Sequence, residues 1–398
     1  MSVPPNILIL YAARGVRAFG DGFATIILPA YLITIGYDPF HVGIVATASL
    51  LGTALFTLAI GAIATRHDLR TLMLAGAALM ILTGLALPQL DALAFIALVS
   101  FLGTINPSTG DLGVLVPLEH AMLASNITND ARTRAFARYS LIGALSMAAG
   151  TLAAVAPDFL THLGIDKINA LRLMFYAYAL LGIVSLALYW RLQPARVVDT
   201  PPRAPLGPSR GIVFKLAALF SLDAFAGGFV VQSLMVLWLF ERFHLSISAA
   251  SVFFFWAGTL SAFSYPVAAR LAQRFGLVNT MVFTHIPSSV FLILAAVAPN
   301  LYAAMGLLLL RAALSQMDVP TRTSYVMAVV TAAERASAAS VTAVPRSLAS
   351  AVSPTFAGLL LTSAFSGLPL VVCGTLKIVY DVALLLSFRH IKPPEEDA

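Results

Sequence analysis

Twelve apolar segments follow one another along this 398-residue chain, and they restrict its fold more than any other feature. Each has about 20 residues or more, enough for a helix rising about 1.5 Å per residue to cross the hydrocarbon core of a bilayer. Because lipid offers the backbone no hydrogen bonds, such segments cross it as helices. The pattern therefore predicts an all-α membrane protein with twelve transmembrane helices. Turn residues or charges delimit the segments, which are 6–36, 41–64, 70–88, 92–124, 135–156, 169–190, 212–241, 247–270, 278–298, 301–330, 337–364 and 367–389.

The composition agrees with a membrane protein and excludes several functions. Only 11% of the residues are charged, whereas a soluble domain carries about 25%. The net charge of +6 arises from basic residues in short loops between the apolar segments, so we expect no nucleic-acid partner. The single cysteine, Cys373, offers no disulfide pair, and no metal-site spacing or phosphate-binding loop occurs. We therefore expect no metal, no other cofactor and no ATP-driven cycle.

The longest polar interval lies in the middle of the chain, at 191–211. It is rich in proline and arginine and predicts a linker between two domains, 1–190 and 212–398. Arginines are concentrated in the loops on the side shared by this linker and both termini, which the positive-inside rule assigns to the cytoplasm. The N-terminal stretch lacks the features of a cleaved signal peptide, so the first segment is expected to remain in the membrane. The expected location is the plasma membrane, which is the inner membrane in a bacterium.

The two predicted domains repeat each other at a nearly constant offset of 206–208 positions. Four residue pairs carry the repeat: Gly22 and Gly228, Asp111 and Asp318, Arg66 and Arg274, and Arg138 and Arg346. Three of these pairs are charged residues inside apolar segments or in loops, where chance matches are rare. The repeat predicts a duplication that produced two parallel halves of six helices.

A short motif between the second and third segments leads to a known family. Gly61, Arg66 and Arg70 match three positions of the pattern G-x-x-x-D-R-x-G-R-R, and Arg274 and Gly276 occupy the equivalent place in the second half. With its twelve segments and duplicated halves, the chain resembles the major facilitator superfamily, in particular drug and sugar efflux members of bacteria. This resemblance implies two pseudo-symmetric six-helix bundles and alternating access to a site between them. It also implies that the first, fourth, seventh and tenth spans line a central cavity.

Charged residues inside these four segments mark the candidate site. An ionised group facing lipid costs several kcal/mol, so these residues must face protein or water. In the tenth segment, five polar residues fall within about 80° on one helix face. The candidates for the substrate and proton pathway are Arg14, Arg17, Asp21, Asp111, Glu119, Asp223, Arg311, Ser315, Asp318, Arg322 and Tyr325.

Two carboxylates are the first candidates for carrying a proton. Asp21 lies one turn from Arg17, so it either forms a salt bridge within its helix or titrates during a transport cycle. Asp223 has no basic neighbour at helical spacing, which favours partial protonation. His285 in the ninth segment is expected to be a packed polar residue and not a ligand.

Arginines near the membrane boundary are candidates for gates. Arg138 either anchors its helix at the interface or pairs with Glu119 or Asp111 across the loop between the fourth and fifth segments. The same reasoning pairs Arg346 with Asp318. The residues assigned to gating charge pairs are Arg66, Arg138, Arg274 and Arg346.

These observations predict a secondary active transporter, not an enzyme. Buried carboxylates make protons the expected coupling ion, and the family resemblance favours export of a small amphipathic or drug-like molecule. The alternative is a proton symporter that imports a sugar, an organic anion or another nutrient, with the arginines favouring an anionic cargo. A non-transporting receptor or a membrane-embedded enzyme would need a soluble domain or a catalytic constellation, and the sequence contains neither. The transporter is expected to act as a monomer.

Overall fold

The structure is a computed structural model that describes residues 5–64, 66–108, 113–125, 129–195, 206–331 and 334–389. Helix is the only regular secondary structure in these ranges, which confirms the all-α prediction. A short 3₁₀ helix, Leu87–Gln89, follows α3. The α-helices are α1 Pro5–Thr34, α2 Pro39–Ile63, α3 Leu69–Ala86, α4 Leu93–Leu102, α5 Val116–Ser125, α6 Asn129–Ala153, α7 Ala156–His162, α8 Lys167–Trp190, α9 Arg210–Gly228, α10 Gln232–Phe243, α11 Ile247–Phe275, α12 Leu277–Ala296, α13 Leu301–Leu314, α14 Asp318–Ala328, α15 Arg335–Leu361 and α16 Leu368–Phe388.

Three of the predicted segments, 92–124, 212–241 and 301–330, each contain two helices instead of one. The break between α9 and α10 follows Gly228, and glycine is among the poorest helix formers. The break between α13 and α14 precedes Pro320, which has no N–H to bond the carbonyl four residues earlier. These are the fourth, seventh and tenth segments, so the polar residues predicted to line a pathway lie on interrupted helices.

Nine helical stretches within the described residues are long and apolar enough to cross a membrane. One of them, Arg210–Phe243, joins α9 and α10. Helices α4 and α13 are apolar but have only 10 and 14 residues, which is short for the bilayer core. Helix α15 has 27 residues, and its five serines and two prolines lower its hydropathy.

Helix α1 is enclosed by other helices of the first compact unit, which comprises Met1–Thr200 and Val231–Phe255. It packs against α6, α8 and α10, while α3 packs against α8 and α2 against α4. Arg14 and Arg17 are buried by these neighbours, so α1 carries its charges without exposing them. Because α10 packs against α1 and α2, it groups with this unit, whereas the sequence assigned it to the domain 212–398.

The second compact unit comprises Pro201–Val230 and Trp256–Ala398, and the second of these stretches begins partway along α11. Helix α12 packs against α13, α14 and α16, and α9 packs against α15 and α16. Phe220, Met281 and Tyr380 belong to the apolar core of this unit, to which α9, α12 and α16 each contribute. This packing brings together the helices that carry Asp223, His285 and the charged residues of α16.

Each unit contains the same close contact between two of its helices. In unit 1, a Cβ on Gly22 of α1 would overlap the backbone carbonyl of Met147 on α6. In unit 2, a Cβ on Gly228 of α9 would overlap the side chain of Ser353 on α15. Gly22 and Gly228 are 206 positions apart, as are Met147 and Ser353. Small residues let membrane helices approach closely, and here the repeat in sequence coincides with a repeat in packing.

Both ends of the predicted linker are held by a carboxylate of their own unit. In unit 1, Asp68 accepts a hydrogen bond from the N–H of Ala195 at 2.7 Å. In unit 2, Glu334 accepts hydrogen bonds from Ser209 Oγ at 2.7 Å and from the N–H of Gly207. The segment before α9 is therefore fixed to the loop between α14 and α15.

We expect Glu334→Gln to lower the thermal unfolding midpoint at neutral pH and to matter less in acid. Hydrogen bonds from Ser209, Thr331 and Gly207 lower the pKa of Glu334 to about 2. Because the folded-state pKa lies below the unfolded value, the stabilisation is complete above about pH 4.5 and disappears as the pH falls towards 2. Unfolding midpoints of both proteins, measured from about pH 7 to about pH 3, check this. A difference that stays constant over that range would contradict it.

Candidate functional site

A buried carboxylate, Glu119 on α5, is the centre of a polar cluster in unit 1. Its side chain is fully buried and accepts hydrogen bonds from Arg17, Tyr139 and Tyr189. The Tyr189 hydroxyl lies 2.5 Å from Oε1, while Arg17 and Tyr139 both donate to Oε2. These four residues, which we call the Glu119 cluster, come from α5, α1, α6 and α8 and so connect four helices.

The Glu119 cluster pairs two buried charges, Arg17 and Glu119, that would be costly if they faced lipid. Removing one partner of a buried ion pair costs about 3–5 kcal/mol, because the other charge is left in a site without water. Arg14, one turn before Arg17, lies over the Tyr139 ring at 5.2 Å from its centroid. This distance is within the range of a cation–π contact, so both arginines of α1 interact with the cluster.

A second polar cluster lies in unit 2. Asp223 on α9 accepts hydrogen bonds from Arg322 Nη1 at 3.0 Å and from Lys377 Nζ at 2.5 Å. The other terminal nitrogen of Arg322 donates to Asp318, one turn earlier in α14, at 2.7 Å. Arg322 therefore bridges two carboxylates, and Asp223 bridges two cations. With His285 and Asp381, these residues form what we call the Asp223 cluster.

His285 on α12 connects Lys377 to the third carboxylate of the cluster. Its Nδ1 lies 3.0 and 3.1 Å from the two oxygens of Asp381, and its Nε2 lies 3.3 Å from Lys377 Nζ. A protonated lysine has only donors, so Nε2 must accept, and the proton of a neutral imidazole is then assigned to Nδ1, facing Asp381. A proton added at Nε2 would place a second donor against the Lys377 ammonium. His285 and Lys377 therefore cannot both be charged while this contact is kept.

The chemistry available in the Asp223 cluster is proton exchange and the binding of charged groups. An imidazole, an ammonium group and carboxylates are joined by hydrogen bonds across α9, α12 and α16. No set of three or more His, Cys, Asp or Glu side chains in the described parts of the chain is arranged to hold a metal ion.

Proteins of known structure share this fold over nearly their whole length. A bacterial homologue of the human lysosomal transporter Spinster has a TM-score of 0.73 at 16% identity, with 98% of each chain covered. The xylose transporter XylE from E. coli has a TM-score of 0.74 at 15% identity, with 95% of each chain covered. The nucleoside transporter NupG has a TM-score of 0.74 at 14% identity, with 96% of this chain and 99% of its own covered. Identities this low show the fold alone.

Sequence comparison decides the family. An uncharacterized membrane protein of Saccharomyces cerevisiae is 23% identical over 97% of this chain and 94% of its own. Residues 10–241 match the family model of the Major Facilitator Superfamily. The chain belongs to the Major Facilitator Superfamily. It is a multi-pass membrane protein and a transporter of the major facilitator type, as the twelve segments and the motif at Gly61 led us to expect.

The partners of the charged residues in unit 1 of this major facilitator differ from those predicted. Arg17 forms its ion pair with Glu119 and not within α1, and Asp21 instead accepts a hydrogen bond from the Tyr178 hydroxyl at 3.2 Å. Arg138 is exposed, and the oxygens of Glu119 are occupied by Arg17 and two tyrosines. Asp111 lies outside the described residues.

The partners of Asp223 correct a second expectation. Periodicity along α9 finds no basic neighbour for this carboxylate, yet Arg322 and Lys377 both bind it from other helices. Asp223 is therefore a compensated carboxylate. Asp318 likewise pairs with Arg322, one turn away in α14, and not with Arg346 on α15.

The polar strip predicted for the tenth segment is interrupted. Helix α13 ends at Leu314, and Ser315 follows it as the C-terminal cap, so Arg311 and Asp318 do not share one continuous helix. Tyr325 is fully buried in the apolar core, with its ring centroid 5.9 Å from that of Phe388. Of the predicted gate residues, Arg66 and Arg274 are exposed and Arg346 is partly exposed.

Five residues were not found from the sequence: Tyr178, which donates a hydrogen bond to Asp21, and four members of the two clusters, Tyr139, Tyr189, Lys377 and Asp381. The last two lie four residues apart inside the twelfth apolar segment. The cost of a charge in lipid, applied there as it was to the tenth segment, would have found both. The tyrosines give a weaker signal, namely that a buried phenol needs a hydrogen-bond partner.

Replacing Arg322 by lysine should destabilise this major facilitator by about 1–3 kcal/mol, because one ammonium group cannot reproduce two separate guanidinium contacts. Thermal unfolding of the purified protein measures the loss. Arg270→Lys makes the same change at an exposed site on α11 and should unfold as the wild type does. Equal midpoints for Arg322→Lys and the wild type would show that the bridge between Asp223 and Asp318 adds no stability.

Proposed function

We propose that this major facilitator is a secondary active transporter that couples solute movement to protons. One observation carries the proposal: the Asp223 cluster joins three carboxylates, a histidine and two cations inside the helices of unit 2. Ionisable residues at membrane depth are costly, and where they are kept they commonly mark ion and proton pathways. The cluster supplies titratable groups in direct contact, as proton coupling requires.

The hydrogen bonds of His285 indicate how a proton would change the contacts between helices. Protonation at Nε2 would repel Lys377, which would then bind Asp223 alone. Loss of that proton would restore the contact between α12 and α16. The charge of one imidazole thereby favours one of two arrangements of its neighbours, and a ligand drives a conformational change only through such a difference between states.

Asp21 on α1 is the second proton carrier that we propose. It is partly exposed, and it accepts a hydrogen bond from Tyr178, whose hydroxyl also lies 3.0 Å from Thr104 Oγ1. Partial exposure allows this carboxylate to exchange protons with water, and the Tyr178 hydroxyl, which is itself in contact with Thr104, orients it.

The direction, cargo and cellular location complete the proposal. We propose export of a small amphipathic molecule in exchange for protons, with the chain a monomer in the plasma membrane and both termini in the cytoplasm. The distribution of loop arginines supports this orientation. A small solute is supported by structural relatives named as transporters of xylose and of nucleosides.

Flux into vesicles tests the proposal. The purified protein is reconstituted with an internal pH dye, and xylose, a nucleoside, a cationic dye and benzoate are offered under an imposed pH gradient. Accumulation of a solute in vesicles with an acidic interior indicates proton exchange, and accumulation with an acidic exterior indicates cotransport. If no solute moves faster than in protein-free vesicles under either gradient, the proposal is overturned.

A further inference from the structure

Unit 2 holds more cationic side chains among its helices than carboxylates to neutralise them. Its non-exposed carboxylates on helices are Asp223, Asp318 and Asp381, and its non-exposed cations are Arg311, Arg322, Arg346 and Lys377, as far as the structure describes the chain. The ion pairs of all three carboxylates are with Arg322, Lys377 or His285. Arg311 and Arg346 are thus left outside the described ion pairs.

Arg346 on α15 is the better placed of these two cations. It is partly exposed, and its Nε is buried without a hydrogen-bond partner in the described part of the protein. Helix α15 packs against α9 and α14, which carry Asp223, Asp318 and Arg322, and these three charges act on Arg346 electrostatically, so it lies beside the Asp223 cluster. Both carboxylates in that group are already bound by Arg322. Arg346 is therefore a positively charged group next to two carboxylates, Asp223 and Asp318, whose ion pairs are formed with Arg322.

From this arrangement we infer that Arg346 binds the negatively charged group of the transported solute. A guanidinium inside a membrane protein needs a counter-ion, and an oxyanion provides one that fits its planar fork. The solute would carry a carboxylate or a phosphate, and that group would supply the ion-pair partner that Arg346 lacks among the described residues. The inference rests on the proposed transport function, because it assigns the class of the cargo.

An isolated-protein binding assay tests the inference without requiring transport. The full chain, purified in an uncharged detergent, is heated with sodium benzoate, with sodium phosphate or with benzamide, the uncharged analogue of benzoate, at equal ionic strength. We expect benzoate or phosphate, and not benzamide, to raise the unfolding midpoint. Arg346→Gln should weaken the apparent affinity about 10-fold or more. Arg346→Lys should retain part of it, and Arg270→Gln, at an exposed site, should leave it unchanged.

Each result has a defined reading. A shift with benzoate alone assigns carboxylates to the site, and a shift with phosphate alone assigns phosphate esters. An equal shift with benzamide, or a shift that persists in Arg346→Gln, overturns the inference. A shift with phosphatidylglycerol but with neither free anion makes the site a lipid contact and overturns it as a cargo site. If a neutral solute moves into vesicles and no anion binds, the inference about Arg346 is overturned and proton-coupled transport is retained. If anions bind in an Arg346-dependent way and no solute moves, the anion site is retained and the proposed transport function is overturned.

Discussion

Replacing Glu119 by leucine is expected to lower the free energy of unfolding by about 3–5 kcal/mol. The carboxylate is fully buried and neutralises Arg17, which is itself only 6% exposed. Leucine leaves that guanidinium charged in a site without water. It also removes the acceptor of the Tyr139 and Tyr189 hydroxyls, which are buried as well. The loss therefore combines an orphaned charge with two orphaned donors.

The double variant Arg17→Met with Glu119→Leu separates these causes. If the orphaned charge dominates, making both partners apolar should recover much of the stability lost in Glu119→Leu, because buried ion pairs replaced by packed apolar residues are often near neutral. The loss of stability that the double variant does not recover measures the cost of leaving the Tyr139 and Tyr189 hydroxyls without an acceptor. Adding Tyr139→Phe and Tyr189→Phe should then recover a further part.

Equilibrium unfolding in mixed anionic and uncharged micelles gives the free energies that this comparison needs. The double-mutant cycle formed by the two single variants and their combination isolates the coupling between Arg17 and Glu119. A coupling near zero, or a Glu119→Leu protein as stable as the wild type, would mean that the contact between α1 and α5 does not hold unit 1 together.

The sequence predicted the helices of this protein well because the bilayer imposes a simple length rule. Segments that end at turns and charges, such as 41–64 and 169–190, correspond closely to α2 and α8. The broken segments were read as continuous because their apolar character does not change at the break. At 212–241, only Gly227 and Gly228 indicate the end of α9, and paired glycines occur in continuous membrane helices too.

The sequence predicted which charged residues belong to the candidate site better than it predicted which of them form ion pairs. Arg17, Glu119, Asp223, Asp318 and Arg322 were all selected because a charge in lipid is costly, and all five lie in the two clusters. Helical periodicity correctly placed Asp318 and Arg322 on one face, since they are four residues apart. It carries no information about the neighbouring helix.

The pairs between helices therefore required the structure. Arg17 and Glu119 are separated by 102 positions, and Asp223 and Lys377 by 154. Which helices become neighbours depends on the packing of the whole unit, for instance on the glycine contact that brings α9 against α15. A single sequence shows that Asp223 needs a partner and does not show that Lys377 supplies it.

Asp223→Asn is expected to abolish proton-driven solute movement in vesicles and to leave solute binding in place. Asp223 accepts hydrogen bonds from both Lys377 and Arg322. Its negative charge therefore determines whether the Lys377 ammonium binds the Asp223 carboxylate or the His285 imidazole. An asparagine keeps the shape and one acceptor oxygen but has no negative charge with which to hold Lys377 and Arg322. Lys377 would then lack the carboxylate to which it turns when His285 is protonated, so a change in the charge of the imidazole would no longer move Lys377 between two partners.

Three comparisons make this result specific to the charge of Asp223. Asp223→Glu retains a carboxylate and should keep part of the proton-driven flux, while Asp166→Asn makes the same chemical change at an exposed site and should behave as the wild type does. The Asp223→Asn protein should also exchange labelled solute across vesicles without a pH gradient, which shows that it is folded and inserted. Proton movement equal to that of the wild type in Asp223→Asn vesicles would remove Asp223 from the coupling mechanism. His285 and Asp21, the other proposed proton-binding groups, would then have to account for any proton dependence.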